Sequence, residues 1–217
     1  MKLHADLSRP VDVATETLAW APSPAPGVMR RMIERDGQEQ ARCTSRVTYA
    51  PGSVFPPHAH PLGEEILVLS GTFHDEHGSY RAGTYLRNPD GAVHAPGSRT
   101  GCELLVKLRH LSSQPGRATV MDTESPAAAW VTLPAVAGHL RGLFLGGEGR
   151  EASWLLEAAA GTVFELPHAA DHPPAGEEVY EIATGQWSRR PPGTRQSWSA
   201  PRGGRFFVKV GHLNHGD

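Results

Sequence analysis

Twenty-four glycines and 19 prolines are spread so evenly along this 217-residue chain that no stretch free of both exceeds 13 residues. The two longest run from Gln38 to Ala50 and from Cys102 to Gln114. Both residue types weaken a helix interior, glycine through backbone entropy and proline through its missing N–H. Long helices are therefore excluded. What remains is a series of short segments rich in β-branched and aromatic residues, each bounded by Gly, Pro, Asn or Asp, which is the pattern of an all-β sandwich or barrel. This pattern predicts strands over Val28–Arg35 and Arg42–Tyr49, joined through Asp36-Gly37, whose glycine supplies the positive φ of a turn. Further strands are expected over Glu65–Leu69, Thr72-Phe73, Ser79–Arg81, Thr84–Arg87 and Glu103–Leu108, with a turn at Glu76-His77-Gly78.

The sequence also repeats itself at an offset of about 102 to 113 residues. Leu105-Val106-Lys107-Leu108-Arg109-His110-Leu111 is echoed by Phe207-Val208-Lys209-Val210-Gly211-His212-Leu213, and Ala19-Trp20 by Ala129-Trp130. Gly52-Ser53-Val54-Phe55 returns as Gly161-Thr162-Val163-Phe164, and Gly63-Glu64-Glu65 as Gly176-Glu177-Glu178. Four echoes in one order imply two copies of one unit. The stretch 112–126, rich in Ser, Gly and Pro, becomes the expected linker between a first copy over 1–111 and a second over 127–217.

Composition narrows the function classes. A formal net charge of −2 and 20% charged residues give no basic footprint for nucleic acid, and 39% hydrophobic residues argue against disorder. The longest obvious apolar run is Ile66-Leu67-Val68-Leu69, far short of the ~20 residues of a membrane-spanning helix. Residues 1–10 lack the apolar core of a secretion signal, so a cytoplasmic location is expected. Cys43 and Cys102, 59 residues apart, read as reduced buried thiols.

Chemistry concentrates at Pro57-His58-Ala59-His60-Pro61-Leu62-Gly63-Glu64. Residues i and i+2 of a strand share a face, so His58 and His60 can point at one cation, which Glu64 can reach after the Pro-Leu-Gly bend. Asn88-Pro89-Asp90-Gly91-Ala92-Val93-His94 offers His94 as a fourth ligand. Three neutral imidazole nitrogens and a carboxylate suit a divalent transition metal. The other histidines His74, His77, His110 and His212 lack such spacing and read as ordinary side chains. The sequence holds no Ser-His-Asp set, no phosphate loop and no general base distinct from the ligands, so no catalytic residue is named.

These residues resemble the two motifs of the cupins. Gly52-x5-His58-x-His60-x3-Glu64-x6-Gly71 is similar to the first, and Gly83-x5-Pro89-x-Gly91-x2-His94 to the second, with Ser98 where the second usually closes on Asn. The resemblance implies small jelly-roll barrels, hence a bicupin of two tandem barrels, the second divergent. It implies His58, His60, Glu64 and His94 as metal ligands. Within the cupins, Phe55 to Leu108 looks most like the cupin-like domain of ChrR anti-sigma factors, which is zinc-bound. Zinc is accordingly the first expectation, with Fe(II), Mn or Ni as alternatives. ChrR holds its sigma factor through a separate helical domain carrying His-x3-Cys-x2-Cys. Two distant cysteines cannot supply that motif, and sigma-factor binding is not expected.

In the second copy, alignment backward from Gly185 puts Glu178 opposite Glu64, His172 opposite His58, Pro174 opposite His60 and Ser199 opposite His94. A structural second barrel follows, with His168, His172 and Glu178 as a minor alternative site. In the first copy, strand alternation from an inward Glu64 sends Ile66 and Val68 inward and Glu65, Leu67 and Leu69 to the other face. An exposed face carrying Leu67 and Leu69 would favour a homodimer or packing of the two barrels on each other. Tyr85, Arg87, Tyr49 and Phe55 are the neighbours that could add a group near the metal.

Two functional readings follow. In one, the metal site serves a sensor, regulatory or small-molecule-binding protein. In the other, a non-haem metal supports a dioxygenase or isomerase acting on a small diketone or phenolic ketone. The expected partner is a small molecule, with neither nucleic acid nor membrane involved.

Overall fold

The computed structural model describes residues 1–38, 40–111, 117–168, 175–193 and 195–213. Among these, strands account for nearly all regular structure, and the one helical element is a 3₁₀ turn at Thr15–Thr17. The chain forms two compact units, Met1–Ala5 with Thr17–Ser125 and Asp6–Glu16 with Pro126–Asp217.

In the first unit the main sheet runs Lys2–Leu3, Val28–Asp36, Arg42–Tyr49, Cys102–Leu108, Glu64–His74, Thr84–Asn88, Thr119–Asp122. Its neighbours along this path are all antiparallel. The expected hairpin is present, but Asp36 still pairs with Arg42, so the connection spans residues 37–41 rather than a two-residue turn. The two segments expected at Glu65–Leu69 and Thr72-Phe73 are one 11-residue strand, Glu64–His74. It turns a corner. Up to Gly71 it pairs with Cys102–Leu108, with a register shift opposite Glu103/Leu104, and beyond that point it pairs with Ser79–Arg81 and Gly97. Gly71 sits at φ 71°, and a Cβ there would lie 2.1 Å from the Gly101 carbonyl oxygen, so only glycine fits the bend.

The corner closes an apolar interior. Val28, Val47, Tyr49, Ile66, Val68, Phe73, Leu86, Leu104 and Val106 form one buried cluster. The register fixes which side chains meet. Glu64 lies opposite Leu108 and Asn88, Ile66 opposite Val106 and Leu86, and Val68 opposite Leu104. Ile66 and Val68 thus face inward as expected. Leu67, on the face expected to be exposed, is only 3% exposed, with Tyr85 and Leu105 directly opposite it. Cys43 and Cys102 are buried free thiols.

The second unit repeats this order. Its sheet runs Val131–Leu133, Leu140–Glu148, Glu151–Ala158, Gly204–Val210, Glu177–Glu181, Gln186–Arg190, Val11–Ala14. Leu156, Phe164, Leu166, Val179, Phe206 and Val208 are among its buried core.

The units depart from the expected division at 1–111, 112–126 and 127–217 in two places. Thr119–Asp122, inside the expected linker, is an outer strand of the first sheet, paired with Thr84–Arg87. Val11–Ala14, inside the expected first copy, pairs with Gln186–Arg189 of the second, where Asp12 accepts hydrogen bonds from Ser188 (2.6 Å) and Arg190 (2.9 Å). A sheet edge presents unpaired backbone groups, and each of these segments satisfies one.

Candidate metal centre

His58–His60 and Ala92–His94 form a small antiparallel ribbon in which His94 lies opposite His58 and Ala92 opposite His60. The i, i+2 spacing puts both histidines of the first strand on one face. The pairing adds the third, with ring centroids 4.6 Å (His58 to His60), 5.5 Å (His58 to His94) and 4.7 Å (His60 to His94) apart. One ligand atom from each lies within 4.8 Å of the others, so the three form a group that could hold a metal ion.

Glu64 arrives through a sharp bend. Leu62 (φ 56°) and Gly63 (φ 69°) are both left-handed, and the bend is tied by Gly63 N–H to His60 O (3.0 Å) and by Leu62 N–H to Asp90 Oδ1 (2.7 Å). A Cβ on Gly63 would meet the Asn88 carbonyl oxygen at 2.7 Å, so the turn is open to glycine alone. It carries Glu64 Oε2 to 3.6 Å from His60 Nε2 and 3.4 Å from His94 Nε2, while those two nitrogens are 2.9 Å apart.

These separations can be tested against a cation. Ligand atoms ~2.1 Å from one ion are ~3.0 Å apart at a right angle and ~3.4 Å apart at the tetrahedral angle. The donor set fits on distance, and it fits on chemistry. His58 Nδ1 donates to Pro56 O at 2.8 Å, which leaves Nε2 with its lone pair. His94 Nδ1 faces Asp75 Oδ2 at 3.5 Å, the carboxylate–histidine arrangement that orients metal-ligating imidazoles. Burial, then the neighbouring His94 and His58, lowers the His60 pKa to about 3, so it stays a neutral donor. Burial raises the Glu64 carboxyl against the pull of His94 and Asn88, as for a carboxylate taken out of water without a full counter-charge. For His94, burial opposes the imidazolium, and Asp75, Glu64 and Glu76 together outweigh it, so the shift is upward.

Two residues that hold this set were not foreseen. Asn88 Nδ2 donates to Glu64 Oε2 at 3.0 Å from the adjacent strand. Asp75 also accepts from Tyr80 Oη (2.9 Å), His77 N–H (2.8 Å) and Gly78 N–H (3.1 Å), and these bonds with His94 hold its pKa near 2 despite burial. Tyr85 and Arg87, which could add a group near the metal but read first as packing or surface residues, lie on the opposite face. Tyr85 Oη donates to Glu65 Oε1 at 2.7 Å, and Arg87 Nη1 is 3.4 Å from the same atom. Their strand alternates, so Leu86 and Asn88 face inward instead. Parity along Thr84–Asn88 could have found Asn88, had the pairing of Asn88 with Glu64 been known. Asp75 carries no local signal.

Beside the histidines lies a cavity of about 310 Å³. Its walls include Tyr49 and Phe55 together with Ile66, Phe73, Leu104 and Val106, and Arg30 and Arg109 line it as well.

Among the described residues, the second unit shows no such group at the equivalent place. Glu177 lies opposite Val210 there, as Glu64 lies opposite Leu108 in the first unit, so the echo of Glu64 is Glu177 rather than Glu178. Both Glu177 oxygens are engaged, Oε1 by His168 Nε2 (2.6 Å) and Oε2 by Trp198 Nε1 (2.9 Å). Glu178 points to the other face, 3.0 Å from His212 Nε2. Ser199 pairs with Val163, the position that Gly97 takes opposite Val54, and so does not stand where His94 stands. His172 and Pro174 lie outside the described residues.

Residues 8–112 match the family described as the ChrR cupin-like domain, and the sheet order places the rest of the chain in a second barrel of the same design. The chain has the cupin fold. No curated protein matches the chain in sequence. Among solved structures, a protein of Nostoc punctiforme described as a candidate dioxygenase superposes with a TM-score of 0.71 at 16% identity, 97% of this chain on 85% of that chain. Ylba of Escherichia coli gives 0.66 at 12% identity, 98% on 95%. The Escherichia coli pirin YhhW in complex with nickel(II) gives 0.63 at 10% identity, 93% on 98%. At these identities the likeness is one of fold. As for the membrane, no described helix is long and apolar enough to cross one.

Proposed function

We propose that the first unit of this chain binds one divalent transition metal through His58, His60, Glu64 and His94, and takes up a small molecule in the adjoining cavity as a sensor or binding protein. The observation that carries the reading is the 2.9 Å approach of His60 Nε2 to His94 Nε2, with Glu64 Oε2 3.4 to 3.6 Å from both, in the wall of a 310 Å³ cavity. A bound metal would supply a Lewis acid facing that cavity. The chain's own residues do the rest. Asn88 and Asp75 hold Glu64 and His94 in place, and the apolar walls exclude water from the ligand. Zinc is the first choice of metal.

A second reading is a metal-dependent dioxygenase or isomerase acting on a small diketone or phenolic ketone. It is favoured by the apolar cavity beside four donor residues, since a six-coordinate ion with four protein ligands keeps two exchangeable positions. The fold likeness to a candidate dioxygenase supports it.

The test is metal content by plasma mass spectrometry on untagged protein purified anaerobically, with oxygen uptake against diketones and phenolic ketones. One zinc per chain and no uptake after iron reconstitution supports the binding role. Substrate-dependent uptake with iron supports the enzyme. Metal content unchanged in His58→Ala and His94→Ala overturns both.

A further inference from the structure

Resting on the reading of the cavity as a small-molecule site beside the metal, we infer that Tyr49 sets its specificity, donating a hydrogen bond from Oη to the oxygen of an uncharged ketone with a single-ring apolar body. Tyr49 closes the strand Arg42–Tyr49, where it lies opposite Val28 on one side and Cys102 on the other. Val47, two residues earlier, shares its face, and both belong to the buried interior cluster. The Tyr49 ring meets Phe73 edge-on with centroids 6.1 Å apart, and Phe73 in turn meets His94 at 6.3 Å. Tyr49 and the histidines thus line one cavity and are linked through one ring.

The hydroxyl is an unused donor. Tyr49 is only 7% exposed, yet among the described residues its Oη has no hydrogen-bond partner. A buried tyrosine normally finds one. Nor is the oxygen among the unpaired polar atoms sealed inside the protein, so it opens onto the cavity that the residue lines. The other described hydroxyl of the lining, Ser23, is turned instead to the Ala25 backbone, its Oγ 3.2 Å from both N and O. Burial, then the Glu64 carboxyl and the Cys102 thiol, pushes the Tyr49 phenol well above its ordinary value, so its proton stays in place to be donated.

The surroundings say what that proton meets. A phenol's lone pairs are drawn into its ring, so its open capacity is chiefly that of a donor, and an accepting ligand oxygen completes it. Val28, Val47, Phe73 and Leu104 make the wall around Tyr49 apolar, and Glu64 stands close enough to act on the phenol. A ketone oxygen satisfies the one donor without setting a second negative charge beside Glu64 and that wall. The cavity of about 310 Å³ lies at the small end of ligand sites, which limits the body to about one ring and a short chain.

The experiment is calorimetric titration of the zinc-treated protein with three compounds of one shape, and metal content is measured on each sample. They are 4-phenylbutan-2-one, 3-phenylpropionate and 2-methyl-4-phenylbut-1-ene, in which a methylene replaces the carbonyl oxygen. The ketone is expected to bind wild type more tightly than the acid. Tyr49→Phe should weaken the ketone about 5- to 10-fold and leave the alkene unchanged or tighter. In urea denaturation the same variant should be at least as stable as wild type, because no protein partner of the hydroxyl is lost. Binding of the acid in preference to the ketone, no ketone binding to wild type, or the same change for ketone and alkene in Tyr49→Phe overturns the inference. A variant that is destabilised or fails to fold overturns it too, since the hydroxyl would then serve the fold. Normal zinc content without ketone binding defeats this inference alone. Tyr49-dependent ketone binding in protein that holds no metal defeats the metal reading alone.

Discussion

His60 Nε2 and His94 Nε2 face each other at 2.9 Å inside the first barrel, each only 5% exposed as a residue. With the His94 Nδ1 turned to Asp75 and His60 held neutral by burial, two ring nitrogens converge on one point beside a buried carboxyl group. A cation at that point would be held by all three, and binding to the folded state alone stabilises it by linkage. Free zinc at 100 times the dissociation constant contributes about 2.7 kcal/mol, on the order of 10 °C for a unit of this size. Scanning calorimetry of the chelated and zinc-loaded protein should show that rise, and His60→Ala should abolish it. A wild-type transition indifferent to zinc would argue against the site.

Asp75 acts on the centre through His94 and is a positioning residue. Asp75→Asn removes the carboxylate that faces His94 Nδ1 at 3.5 Å while keeping nearly the same shape. Metal affinity should fall about 10- to 100-fold, as measured by competition with a chromophoric chelator. Asp75→Glu should recover part of the loss, which a purely structural role would not produce. Affinity equal to wild type in Asp75→Asn would remove Asp75 from the centre.

Asn88 donates to the buried Glu64 oxygen that faces both histidines. Asn88→Ala leaves that oxygen short of a donor, at a cost of about 1–3 kcal/mol in metal-free protein. Urea denaturation checks this. Asn88→Asp, which sets a second carboxylate against the first, should cost more, and a smaller effect than Asn88→Ala would refute the assigned contact.

The second barrel should behave as a structural copy. His168→Ala removes the donor 2.6 Å from the buried Glu177 and should destabilise the protein by about 1–3 kcal/mol. The zinc content should remain that of wild type, because the bond lies in the other unit. Loss of metal in this variant, by plasma mass spectrometry on folded protein, would show that the first barrel does not hold the whole site.

Much of this was legible in one dimension because it is local. Glycine and proline spacing excludes long helices, the His-x-His pair shares a face by strand geometry alone, and the Pro61-Leu62-Gly63 bend returns the chain to Glu64 within four residues. The internal echo likewise announces two units of one strand order. What stayed hidden depends on pairing between distant strands, since a one-residue change of register sends every side chain to the opposite face. That is why Asn88 rather than Tyr85 or Arg87 meets the centre, and why only the register decides between the two sequence alignments, one giving Glu177 and the other Glu178 as the echo of Glu64, in favour of Glu177. Asp75 reaches His94 across a turn that no spacing rule connects to it. The outer strands Val11–Ala14 and Thr119–Asp122 are decided the same way, by which open sheet edge each segment can pair. Residue types and short spacings are properties of the sequence itself, whereas the partner of each strand exists only once the whole barrel has closed.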